Sequence, residues 1–172
     1  MAQGKSRSMR AVIWAAAVVF GLDQLSKYLV VHVMQLDRKL QIDVLPPWLQ
    51  FRMAWNQGIN FGLFSNSADV MRWVLIALAL AISAWVWIWM RREPQPVRAR
   101  LAAGLLIGGA LGNVLDRVLY GAVADFLNMS MPGIANPFSF NVADIAIFAG
   151  AIGLVLFAGQ GKDTAKPRGG RG

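Results

Sequence analysis

Cysteine is absent from the 172-residue chain, which excludes disulfides and thiolate-bound metals. Histidine occurs once, as His32, at the end of an apolar run where a surface position is expected. No serine–lysine pair stands in a context suited to nucleophilic catalysis either. Charge is also scarce, 15% of residues against 56% hydrophobic, and the mean hydropathy is +0.47. A soluble domain does not need so much apolar material. The few charges are confined to short stretches, so the apolar residues run together as membrane spans do. The net charge of +8 would suit nucleic acid, but most basic residues lie between apolar runs or at the two ends. That distribution reports membrane topology, and no nucleic-acid partner is expected.

Four apolar segments, at about 11–34, 71–90, 101–119 and 142–158, approach the roughly 20 residues a helix needs to cross a hydrocarbon core. The first resembles a secretory leader, but Asp23, Gln24 and Lys27 interrupt it and three more runs follow, so a retained helix is expected. With four spans, Lys5, Arg7, Arg10, Arg91, Arg92, Arg98, Arg100 and the basic residues of the tail share one side. Both termini therefore face the cytoplasm. Trp85, Trp87 and Trp89 precede Arg91 as an interfacial belt would.

The fold class expected is an all-α membrane protein of four transmembrane helices. A small β-like platform is expected at the outer surface between helices 1 and 2, where QIDVLPPWLQFRMAWN partly alternates around Pro46-Pro47. Residues 120–140 are turn-rich. A single domain spans 1–161, and 162–172 is a flexible basic cytoplasmic tail. Gly104, Gly108 and Gly112 form a small-residue stripe for close helix packing.

An ionisable group in hydrocarbon costs at least ~2.5 kcal/mol, so such residues face a protein interior or water. Asp23 and Lys27 lie four apart on one helix face, either as a structural pair or as the anchor of an outer loop over a site. Asn113, Asp116 and Arg117 share a face of the third span. Asp125 follows a plausible helix break at Gly121, and Asn141 and Asp144 open the fourth span. Two carboxylates meeting about one turn below the outer surface cannot both ionise cheaply. Sharing one proton, they can activate water against a peptide carbonyl. The residues alone leave either Asp116 or Asp125 as partner to Asp144. They also leave open a proton- or ion-coupled transporter, although transport sites favour mid-depth. A hard-cation reading, Asp116, Asp125 and Asp144 around Mg²⁺ or Mn²⁺, is the weaker alternative to a metal-free, cofactor-free site.

The segments DQLSK (23–27), WNQGINFGLF (55–64), GGALGNVLDR (108–117), VADF (123–126) and FNVAD (140–144) resemble, in order and spacing, those of lipoprotein signal peptidase, also called signal peptidase II. The likeness runs through nearly the whole chain. It implies an aspartyl endopeptidase of the bacterial inner membrane that removes signal peptides by cutting before a diacylglyceryl-modified cysteine. Its partners would then be lipidated prolipoproteins and membrane lipid. The resemblance implies Asp125 and Asp144 as the catalytic dyad, with Asn113, Arg117 and Asn141 organising the site. Asp23, Lys27, Asn56 and Gly58 match motifs that shape the substrate-binding region, and Asp116 matches a supporting position. Ile59 and Asn60 depart from the family, which usually has small residues there. Oligomeric state is not encoded in any of these motifs.

Overall fold

A computed structural model describes residues 2–58 and 67–158. Helix α1 (Ala2–Lys27) runs on into a π-helical stretch, Tyr28–Val33, and a short α2 (Leu36–Lys39) follows. Strands β1 (Gln41–Leu45) and β2 (Leu49–Asn56) lead to α3 (Ser67–Arg92) and α4 (Val97–Tyr120). Strand β3 (Val123–Met129) and α5 (Val142–Phe157) complete the described fold.

Among the described residues, three helical stretches are long and apolar enough to cross a membrane: Met9–Val33, Asp69–Arg92 and Val97–Tyr120. Helix α5 has 16 residues, about 24 Å at 1.5 Å per residue, short of the usual span. The helices present large apolar side chains outward. Trp73, Leu78 and Trp85 on α3 and Phe148, Val155 and Leu156 on α5 are all exposed. Contiguous apolar faces of this extent need lipid or another partner.

Helix α4 is the hub, packed most extensively on α1 and α5. Its glycine stripe explains the close approach. A Cβ on Gly108 would lie 2.5 Å from the Ala16 carbonyl oxygen of α1, and one on Gly104 2.5 Å from the Ala15 Cβ. Backbone-to-backbone contact of this kind supplies dispersion where water cannot drive association. Val12, Val86, Met90, Ala103, Ile107 and Leu154 form the apolar core between these helices.

Direction follows from the polar contacts. Lys27 at the end of α1 reaches Asp116 near the end of α4, and Asp23 accepts from the Ala143 N–H at the start of α5. Arg72, early in α3, donates to the Val118 carbonyl. The ends of α1 and α4 and the starts of α3 and α5 therefore share one pole. The stretch from Arg91 to Arg100 lies at the other.

At the site pole stands an antiparallel sheet ordered β1-β2-β3. The expected platform between helices 1 and 2 is thus present but incomplete as a description. Its third strand comes from the segment read as turn-rich, after Gly121 caps α4 at φ +79°. VADFLNM lacks clean alternation because five of its seven residues are buried, so period-2 patterning was silent. Ala54 pairs with Asp125, Trp55 with Ala124 and Asn56 with Val123. Beneath the sheet, Phe126, Leu36 and Val30 gather Phe51, Met53 and Leu127.

Candidate active site

Two polar layers lie where the helix ends meet the sheet. The deeper one centres on Lys27. Its ammonium lies 2.8 Å from Asp23 Oδ2 and 2.7 Å from Asp116 Oδ2, and it also donates to Asn113 Oδ1 at 3.3 Å. All three charged residues are buried, so each charge is compensated at close range, as burial demands. The second oxygen of Asp23 accepts from Ala143 in the first turn of α5, where the helix dipole favours an anion. Asp116 accepts from the Ala124 backbone N–H at 3.1 Å and from Gln24. The Asp23–Lys27 pair therefore ties α1 to α4, β3 and α5. The loop between β2 and α3, residues 59–66, lies outside the described residues.

The shallower layer holds Asp125 and Asp144, joined through Asn141. The Asn141 side chain donates to Asp125 Oδ1 at 2.6 Å. It also caps α5, accepting from the Asp144 N–H while Asp144 Oδ2 accepts from the Asn141 N–H. This reciprocal box fixes the Asp144 carboxylate against the helix start. The other Asp144 oxygen accepts from Asn113 Nδ2 at 2.9 Å. Asn113 thus links the layers, its Oδ1 facing Lys27 and its amide N–H facing Asp144. Asn141 sits close to Asp125 because Phe140 hydrogen-bonds back to Leu127 in β3.

Asn56 donates to Asp125 Oδ2 at 3.0 Å, and its own oxygen is held by the Gly58 N–H at 2.9 Å. Gly58 has φ +89°, and a Cβ there would lie 2.6 Å from Leu75 Cδ1. The position requires glycine on both grounds. Burial, then the charge of Asp144, pushes the Asp125 carboxyl up to about 6, against the pull of the Asn56 and Asn141 hydrogen bonds and Lys27. Arg117 lies within electrostatic reach of Asp144, Asp125 and Asp116. Its guanidinium donates to the Asn113 carbonyl at 3.4 Å, and its buried Nε has no hydrogen-bond partner among the described residues.

The sequence-predicted residues therefore converge: Asn56, Asn113, Asn141 and Arg117 around Asp125 and Asp144, with Asp23, Lys27 and Asp116 beneath. Asp116 is taken up by Lys27, Gln24 and Ala124. Among the described residues no group of three metal-ligating side chains is placed to hold an ion, so the three-carboxylate reading loses its third ligand. His32 is exposed, as expected. Among the aromatics of the sheet and its flanks, Trp48 and Trp55 are about half exposed. Phe51 instead packs edge-on against Phe126, 5.8 Å between ring centroids, and Phe61 lies outside the described residues, as do Ile59 and Asn60.

Two residues were not assigned to the site from the sequence. Gln24 bridges Asp23, Asp116 and the Gly112 carbonyl; its place inside an apolar span was the available signal. Asn128, almost wholly buried, donates to the Asn136 and Phe138 carbonyls at 2.9 Å and so shapes the return toward Asn141. An asparagine among the apolar residues of β3 was its signal.

The description "Signal peptidase (SPase) II" belongs to the family profile that matches residues 15–159. The lipoprotein signal peptidase of Sphingopyxis alaskensis is 39% identical over 173 residues, covering 97% of this chain and 98% of its own. That of Methylobacterium radiotolerans is 44% identical over 126 residues, 72% of each. A solved bacterial membrane enzyme shares the fold with a TM-score of 0.69 at 26% identity, covering 94% of this chain and 93% of its own. A profile match over most of the chain, together with full-length likeness to such relatives, leaves one assignment: this multi-pass membrane protein belongs to the signal peptidase II family, a family of aspartic-type proteases.

Proposed function

We propose that the chain removes signal peptides from diacylglyceryl-modified prolipoproteins by cutting before the lipidated cysteine, with Asp125 and Asp144 as its catalytic dyad. The observation that carries this is Asn141. It caps the helix that presents Asp144 and donates to Asp125 at 2.6 Å, so one side chain sets both carboxylates. The pair shares one proton, a property of the dyad and not of either member. The ionised carboxylate takes a proton from the attacking water while the protonated one donates to the scissile carbonyl oxygen. Asn56, Asn113 and Asn141 hold the carboxylates, and Arg117 supplies positive charge to the same pole. Asp23, Lys27 and Asp116 position the helix ends, and Gly58 sets Asn56. No metal or cofactor enters this chemistry.

In this reading α5 is the fourth span, residues 1–161 form one domain, and 162–172 are a basic cytoplasmic tail. The chain lies in the inner membrane with both termini cytoplasmic, which puts the dyad about one helical turn below the outer face. A lipidated cysteine is held at that depth by its acyl chains, each buried methylene contributing about 0.8 kcal/mol. Family membership lends no support to ion-coupled transport. The test is cleavage by purified protein in micelles with EDTA present. A diacylglyceryl-modified prolipoprotein should be cut and its unlipidated form should not. Cleavage abolished by EDTA, or indifferent to the lipid, contradicts the proposal.

A further inference from the structure

Behind the dyad, on the other face of the same strand pair, lies a cavity of about 120 Å³, well above the roughly 15 Å³ that one water requires. Side chains alternate across a strand. With Ala54 opposite Asp125 and Trp55 opposite Ala124, Asn56 and Asp125 point one way while Trp55 and Ala124 point into this cavity. Its rim is a run of four rings. Tyr28 and His32 are 5.8 Å apart, His32 and Tyr120 6.5 Å, and Tyr120 and Trp55 5.6 Å, centroid to centroid. All four are exposed at the site pole of α1 and α4, so the cavity opens at the rim and not in the protein core. Its floor includes Lys27 and Asp116.

The floor is not cationic in character. The Lys27 ammonium is already engaged by Asp23, Asp116 and Asn113. On the cavity floor itself Lys27 is balanced by Asp116, 2.7 Å away. Aromatic faces above a charge-balanced floor attract an ammonium group, whereas the lining offers an anion only the already engaged Lys27. Tyr28, Tyr120 and Trp55 also offer O–H and N–H donors at the rim, suited to the phosphate or glycerol oxygens of an amphiphile. The mouth lies among interfacial aromatics at the ends of apolar helices, which selects a lipid over a free amine.

We propose that this aromatic-walled cavity binds the ammonium headgroup of a zwitterionic phospholipid, on the face of the sheet opposite the dyad. It rests on the outer-surface placement above but not on the peptidase chemistry. Because Asp116 holds the Ala124 N–H, one residue before Asp125, the bound headgroup braces the strand that carries Asp125.

The test is native mass spectrometry of the full chain in micelles, titrated with dioleoyl-phosphatidylethanolamine or dioleoyl-phosphatidylglycerol, with prolipoprotein cleavage measured in parallel. The ethanolamine lipid should bind about tenfold more tightly than the glycerol lipid, the preference a few cation–π contacts supply. Tyr28→Ala with Tyr120→Ala should erase the preference, and Tyr28→Phe with Tyr120→Phe should keep it. Equal or reversed preference in the unaltered protein overturns the site, as does a preference that survives both alanines. Free ethanolamine binding as tightly as the lipid overturns the lipid assignment. Should the double-alanine protein fail to fold, the two-lipid comparison and the phenylalanine pair still decide. Lost lipid preference with intact cleavage would leave the peptidase reading untouched.

Discussion

At the scale of single residues, Asp125, one half of the proposed dyad, is a destabilising group. Its carboxyl is pushed up to about 6 in the folded protein against an ordinary 3.8, chiefly by burial. The native state therefore keeps this proton to higher pH than the unfolded chain does. Its contribution to stability is best below about 3.8 and is lost as pH rises through about 6. That gap of about two pH units corresponds to roughly 3 kcal/mol at ~1.36 kcal/mol per unit. Thermal midpoints in micelles should fall between about pH 4 and 8 for the unaltered protein, and Asp125→Asn should flatten that fall. A second expectation concerns Asn56. Its N–H stabilises the charged form of Asp125, so Asn56→Ala raises the carboxyl further. The high-pH limb of kcat/KM, expected near 6 in the unaltered enzyme from the raised Asp125 carboxyl, should move upward by up to about one pH unit, since one hydrogen bond to a charge is worth roughly 1.5 kcal/mol. A limb that stayed or moved down would contradict the assignment. The identities of these carboxylates were legible in the sequence because charge in an apolar run needs a reason. Their pairing was not, because spacing left Asp116 and Asp125 equivalent. The Ala124 N–H and Lys27 distinguish them by occupying Asp116.

Among elements, the helices were the legible part. The runs at 71–90 and 101–119 each lie inside a longer helix, Ser67–Arg92 and Val97–Tyr120, because arginine-rich ends continue a helix that hydropathy stops counting. β3 was hidden for the converse reason: a strand buried on both faces carries no alternation, and its neighbours looked like turns. The glycine stripe was read as packing, and packing is what it does. Gly108→Ala would force its Cβ against the Ala16 backbone of α1 at 2.5 Å, where no side chain can rotate away. A loss of about 1–3 kcal/mol is expected, visible as a lower thermal midpoint with the pH profile of cleavage unchanged. An unaltered midpoint would contradict the α1–α4 contact.

For the whole molecule, the basic residues and the polar contacts describe one axis. The proposed dyad, the sheet and the ring-walled cavity lie at one pole, and Arg91, Arg92, Arg98 and Arg100 at the other. The absence of cysteine makes the orientation directly measurable. A single Asp37→Cys should react with a membrane-impermeant maleimide from outside intact cells, and a single Pro94→Cys only after permeabilisation. The reverse pattern would invert the topology and remove the dyad from the outer face. The most direct measurement is cleavage of a diacylglyceryl-modified prolipoprotein by the full chain beside Asp125→Asn, Asp144→Asn and Asp116→Asn, each verified as folded. Cleavage should vanish, by at least about 10³-fold, in the first two and persist at a reduced level in the third. Cleavage surviving in folded Asp125→Asn or Asp144→Asn would contradict the dyad, and its disappearance in folded Asp116→Asn alone would transfer the chemistry to the deeper layer.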